Sequence, residues 1–191
     1  MFASILLAAA AAATPPLASS GSLGPRCVTE YGKTVCGYDC IARWGDVKCS
    51  QTPEGICYAA NDEITCWDPP AWLRDPTSHA ALPRPKCVSE YGKIVCGYSC
   101  VARFGKAECS QTPDGICYAR DEKVTCWDPS PKLRIAYRDT PLPAPKCLEE
   151  YGQIACGFQC LARFDQVKCS QTPEGICREE GGQVVCWDPP L

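Results

Sequence analysis

CVTEYGKTVCGYDCIARWGDVKCSQTPEGICYAANDEITCWDP, residues Cys27 to Pro69, decides the architecture of this 191-residue chain, because it is written three times. Its six cysteines, Cys27, Cys36, Cys40, Cys49, Cys57 and Cys66, return sixty positions later as Cys87, Cys96, Cys100, Cys109, Cys117 and Cys126. They return again as Cys147, Cys156, Cys160, Cys169, Cys177 and Cys186, and all 18 cysteines belong to the pattern. A strict internal period is a stronger guide than chain length and predicts an array of small units. A unit of about forty residues is near the size at which a hydrophobic interior alone fails to hold a fold. Crosslinks must supply the difference, and this cysteine density is that of a disulfide scaffold. The predicted fold class is small, disulfide-rich and mainly β, with three tandem modules of short β-hairpins joined by proline-rich linkers.

A finer repetition lies inside each copy. Cys27 to Cys36, Cys40 to Cys49 and Cys57 to Cys66 each enclose eight residues, and the later copies do the same. Counting the first cysteine as place zero, places four and five hold Tyr31-Gly32, Trp44-Gly45 and Asn61-Asp62. Later copies offer Phe104-Gly105, Asp121-Glu122 and Gly181-Gly182. Gly, Asn and Asp there are turn formers, so each ten-residue cassette reads as a hairpin with its tip in the middle.

A two-residue loop sets the two cysteines of a cassette opposite each other, at a site where cross-strand side chains come closest. Bridges are therefore expected within cassettes: Cys27 with Cys36, Cys40 with Cys49, Cys57 with Cys66, Cys87 with Cys96, Cys100 with Cys109, Cys117 with Cys126, Cys147 with Cys156, Cys160 with Cys169, and Cys177 with Cys186. Closing such a loop removes about 2.7 kcal/mol of unfolded-state freedom, or about 8 kcal/mol per module, in a chain-entropy treatment. Wider pairings would gain only slightly more, so geometry must choose. The same register opposes Glu30 to Lys33, Arg43 to Asp46 and Glu90 to Lys93, with Arg103 and Lys106 as the exception. An alternative stays open. Tyr or Trp resists the positive φ of a type I′ turn, and a three-residue loop with Gly32 in a bulge would shift the register and send bridges between cassettes.

Two connectors join the cassettes. GYD, between Cys36 and Cys40, reads as a tight reversal between packed ribbons. SQTPEGI, between Cys49 and Cys57, sets Pro53 and Gly55 where a type I turn favours them, and reads as a rigid corner. A second reading exists, because a nine-residue loop from cysteine to cysteine containing Thr then Pro distantly resembles the reactive loop of Bowman-Birk protease inhibitors. That resemblance would present the bonds Gln51-Thr52, Gln111-Thr112 and Gln171-Thr172. It requires Cys49 to pair with Cys57, and the family's paired prolines beyond the bond are missing.

Each copy closes with CWDP, and an indole stacked over a disulfide is the expected use of Trp67, Trp127 and Trp187. A sugar-stacking platform is the alternative. The aromatics at the predicted tips, Tyr31, Trp44, Tyr91, Phe104, Tyr151 and Phe164, form the candidate binding surface, since rings at hairpin tips are exposed and suit carbohydrate or peptide. Folding back on the neighbouring ribbon is the competing reading.

Residues 1–18 read as a signal peptide, whose apolar run Ile5 to Ala13 is followed by small residues that offer cleavage after Ala13 or Ala18. The usual basic start is missing, as no Lys or Arg precedes Arg26, and an uncleaved apolar tail or anchor is the alternative. The run is short for a bilayer, and no transmembrane segment is expected in the mature chain. Residues 19–26 form a lead; the repeats occupy 27–69, 87–129 and 147–190; linkers 70–86 and 130–146 read as extended, semi-rigid spacers, which leaves open whether the modules pack together or stay separate. In the second linker, alternating Leu133, Ile135 and Tyr137 suggest an edge strand. The third copy runs to Pro190, and no catalytic domain is expected after it.

The formal charge of −3 is small and its signs are interspersed, which gives no footprint for nucleic acid. The single histidine, His79, sits in a linker and leaves no partner for Ser/His/Asp or Cys/His chemistry. Zinc is disfavoured, for neither CxxC nor CxC occurs. No cofactor is expected. Together CGYxC, CSQTPxGxC and CWDP resemble six-cysteine tandem repeats of uncharacterised secreted bacterial proteins, a resemblance that implies compartment and module boundaries but no mechanism. The expectation is thus a non-enzymatic secreted or cell-envelope protein with a structural or multivalent binding role toward polysaccharide or extracellular protein. An array of small protease inhibitors is the alternative, and a plain structural spacer the second.

Overall fold

In the computed structural model, residues 24–74 and 82–191 are described; the signal-peptide reading, most of the lead and His79 fall outside them. The protein is mainly β, built of short antiparallel hairpins in three repeated modules. The first module comprises β1 (Arg26–Glu30), β2 (Lys33–Arg43), β3 (Asp46–Ser50), β4 (Ile56–Ala60) and β5 (Glu63–Trp67). The second comprises β6 (Lys86–Glu90), β7 (Lys93–Arg103), β8 (Lys106–Ser110), β9 (Ile116–Arg120) and β10 (Lys123–Trp127). In the third, β11 (Lys146–Glu150), β12 (Gln153–Gly157), β13 (Cys160–Arg163), β14 (Gln166–Cys169), β15 (Ile176–Glu180) and β16 (Gln183–Trp187) pair as three separate hairpins.

Every cassette turns in two residues, both at positive φ: Tyr31 and Gly32 at 45° and 81°, Trp44 and Gly45 at 55° and 80°, Asn61 and Asp62 at 50° and 60°. These are type I′ values, whose twist matches that of the strands they join. The register follows, with Cys27 opposite Cys36, Cys57 opposite Cys66, and Glu30 opposite Lys33. Disulfides join Cys27–Cys36, Cys40–Cys49, Cys57–Cys66, Cys87–Cys96, Cys100–Cys109, Cys117–Cys126, Cys147–Cys156, Cys160–Cys169 and Cys177–Cys186. Each closes its own cassette, and no free cysteine remains.

GYD does not reverse the chain. In the first two modules β2 and β7 run straight through it as eleven-residue strands, each pairing with one hairpin partner before it and another after. A register shift between Tyr38 and Ile41 marks a bulge, with Asp39 at φ 21°. The glycine allows this crossing, because a Cβ on Gly37 would lie 2.4 Å from the Ser50 carbonyl oxygen. In the first two modules the following residue ties the bulge to the third hairpin: the Cys57 N–H donates to Asp39 Oδ2 at 2.6 Å, and the Cys117 N–H to Ser99 Oγ at 3.3 Å.

The apolar interior is small. Val47 and Ile64 are buried in module one, Ala107 in module two, Val167 and Val184 in module three, beside bridge sulfurs. One or two aliphatic chains per module supply only a few kcal/mol by burial, about 1.5–3 kcal/mol each, so the crosslinks carry much of the fold.

The linkers also depart from the expected spacers. Residues 131–136 form a short helix, α1 (Pro131–Ala136), and not an edge strand; Ser130 caps it by accepting from the Leu133 N–H at 3.2 Å, with proline in the first turn. Leu133 is fully buried while Ile135 is exposed, so the alternation was helical spacing cut short. Arg134 pairs with Asp114 of module two, and the Tyr137 hydroxyl donates to Glu174 of module three. In the first linker, Ala71–Leu73 is a 3₁₀ turn that buries Leu73.

Candidate binding surface and module junctions

The first two hairpin tips of each module lie side by side. The Tyr31 ring crosses the Gly45 backbone, 3.6 Å from where a Cβ would stand, and the Tyr91 ring crosses Gly105 at 3.5 Å. The Gly45 N–H donates to Glu30 Oε1 at 3.3 Å, and Gly105 repeats the bond with Glu90. Lys33 pairs with Asp46 across the two tips, and that hydrogen bond holds the Asp46 carboxyl below its ordinary range. The Arg43 guanidinium lies 5.8 Å from the Trp44 ring centroid. Tyr31 is 90 % exposed and Trp44 51 %, and Tyr91, Phe104, Tyr151 and Phe164 are also exposed. In module three the same positions line a groove, Tyr151 and Phe164 with Glu150, Arg163, Asp165 and Glu179.

All six candidate aromatics therefore occupy first turn positions at positive φ: Tyr91 at 45°, Phe104 at 55°, Tyr151 at 48° and Phe164 at 51° complete the set. A side chain with a Cβ loses about 1–2 kcal/mol there. The third cassettes, which use Asn61, Asp121 and Gly181, avoid bulky rings at the same point. Half or more of each ring faces solvent, so burial offsets little of that local cost, which is a reason to look outward. The arrangement offers a broad, shallow aromatic pair with a charged rim, suited to stacking and hydrogen bonding at a surface.

SQTPxG is a corner held by a carboxylate that sequence reading overlooked. Asp68 Oδ1 accepts from the Gln51 N–H at 2.9 Å, the Thr52 N–H at 2.9 Å and the Thr52 hydroxyl at 2.8 Å. Asp128 and Asp188 repeat the set on Gln111 and Thr112 and on Gln171 and Thr172. Gly55 closes the turn, its N–H donating to the Thr52 carbonyl at 3.1 Å; a Cβ on it would stand 2.3 Å from Asp68 Oδ1. Thr52, Thr112 and Thr172 are buried. A protease-facing bond needs an extended exposed backbone, whereas this one is pinned from beneath, and Cys49 bridges to Cys40.

Trp67 and Trp127 are turned to the next module. The Trp67 indole meets the Tyr98 ring edge-on, centroids 5.5 Å apart, and its N–H donates to Gln111 Oε1 at 2.8 Å. Trp127 does the same with Phe158, at 5.3 Å, and Gln171, at 2.5 Å. Around this centre, Arg120 pairs with Glu149 at 3.1 Å, and Lys123 Nζ donates to the Gly152 carbonyl at 2.5 Å. The modules therefore pack end to end, a point that the proline-rich linkers leave open in the sequence.

These features define a class: an array of hairpin modules, each stapled by three local bridges, with the first and second each seated on the next through Trp, an aromatic ring and Gln. The chain matches no family model, no curated protein and no solved structure. Among the described residues no helix is long and apolar enough to cross a membrane.

Proposed function

We propose that this is a non-enzymatic secreted or cell-envelope protein that presents its paired tip aromatics in triplicate to a repetitive polysaccharide. The observation that carries the reading is the placement of six exposed rings at backbone positions that disfavour them. Nine bridges and the apolar amino-terminal run support an oxidising compartment outside the cytosol. One shallow ring pair binds weakly. Three on one array raise apparent affinity by about 10²–10⁴ when the target repeats along its length.

The test incubates the oxidised chain with insoluble cell-wall and plant polysaccharides and reads the retained fraction. Retention is expected, and it should fall stepwise as Trp44, Phe104 and Phe164 become alanine one by one. Retention by immobilised extracellular proteins alone would move the ligand class to protein. No retention by either would leave a spacer. A serine-protease panel run in parallel should show no inhibition, in keeping with the pinned Gln51-Thr52, Gln111-Thr112 and Gln171-Thr172 corners.

A further inference from the structure

Both internal junctions use the same parts, and the two ends of the array carry those parts without a partner among the described residues. At the amino-terminal end, Tyr38 and Gln51 stand where Tyr98 and Gln111, or Phe158 and Gln171, receive an indole. Gln51 is posed as its counterparts are: its Nε2 donates to the Cys49 carbonyl at 3.2 Å, as Gln111 does to Cys109 at 3.2 Å and Gln171 to Cys169 at 3.1 Å. Gln51 itself is exposed, and its Oε1 has no protein donor among the described residues. Cys36 is exposed here, whereas Cys96 and Cys156 are buried.

At the other end Trp187 is 57 % exposed, while Trp67 and Trp127 are half-buried in their junctions. Trp187 pairs with Ile176 and Val185 with Arg178, placing Ile176, Val185 and Trp187 on one face of β15–β16, all exposed. The two ends are thus the two halves of an interface the molecule already builds twice.

We propose that the partner of each end is a second copy of this chain, with Trp187 of one copy seated on Tyr38 and Gln51 of the next. Such a contact is heterologous and continues the array head to tail. It is weaker than the internal junctions for reasons visible in the residues. Thr34 replaces Ile94 and Ile154; Thr29 replaces Glu149; Gln183 replaces Lys123; and no linker joins the halves. A linker supplies an effective concentration in the millimolar range that an untethered contact lacks, so the concentration series is carried to about 1 mM, where the two conditions become comparable.

Small-angle scattering and sedimentation of the oxidised full chain over a concentration series test this. Growth in mass with concentration is expected, weakened at least tenfold by Trp187→Ala or Tyr38→Ala and about five- to tenfold by Gln51→Ala, an exposed site where loss of folding is not a concern. Trp187→Ala and Tyr38→Ala chains, each with nine intact bridges, should be monomeric alone and form capped dimers when mixed, since each keeps the half the other lacks. A monomeric wild-type chain at about 1 mM overturns the proposal, as does assembly insensitive to these substitutions. Failure of the mixed variants to pair would show a symmetric contact and overturn it equally.

Discussion

At the residue scale, the tips are where local stability and exposure are most at odds. Replacing Tyr31, Tyr91 and Tyr151 with asparagine converts each turn to Asn-Gly, the pair best suited to type I′ geometry, and removes a bulky Cβ-bearing ring from positive φ. Each change should stabilise its hairpin by about 1 kcal/mol, raising the thermal midpoint with bridges intact, while retention on polysaccharide falls. A lowered midpoint would refute the strain argument. The opposite sign belongs to Asp128. Asp128→Ala strands two backbone N–H groups and the buried Thr112 hydroxyl, and should cost about 2–3 kcal/mol in denaturant unfolding, with Asp128→Asn costing less. Turn places were legible because Gly, Asn and Asp recur at the centre of cassettes. Asp68, Asp128 and Asp188 were not, since each follows a tryptophan that drew the reading, and their partners lie 16 and 17 residues upstream.

At the element scale, periodicity over a few residues misled. Leu133, Ile135 and Tyr137 alternate as a strand would, but Ser130-Pro131 is a helix start, and the cap decided the outcome. GYD reads as a reversal because three residues between cysteines suit a tight turn; instead its glycine lets β2 pass the Ser50 carbonyl. The junction between β5 and β7 has a measurable chemical signature. The Tyr98 hydroxyl is buried with no hydrogen-bond partner among the described residues, and burial pushes the phenol above its ordinary value. The folded state favours the neutral form, so this contribution is complete below about pH 10 and is lost as pH rises past the folded pKa. Ultraviolet titration should show a delayed phenolate absent from Tyr98→Phe, whose stability should decline less at alkaline pH.

At the scale of the whole molecule, period, module boundaries and β class could be read from the cysteines, because sulfur spacing reports local geometry directly. The end-to-end packing could not, because Trp67 reaches Gln111 across 44 positions, and the three equivalent copies leave no cue to which surfaces meet. With so little aliphatic interior, full reduction should abolish the near-ultraviolet circular dichroism of the packed rings at ordinary temperature, whereas a chelator should leave it unchanged. Retained signal after complete thiol release would show that the modules stand without their bridges. All nine bridges link cysteines nine positions apart. Each thiol thus has its partner close by along the chain, and in a polypeptide that folds in order from its amino-terminal end it meets few competitors. Oxidative folding can therefore proceed with little call for reshuffling by an isomerase, and a fourth or fifth module would lengthen the product without making its sulfur pairing harder to solve.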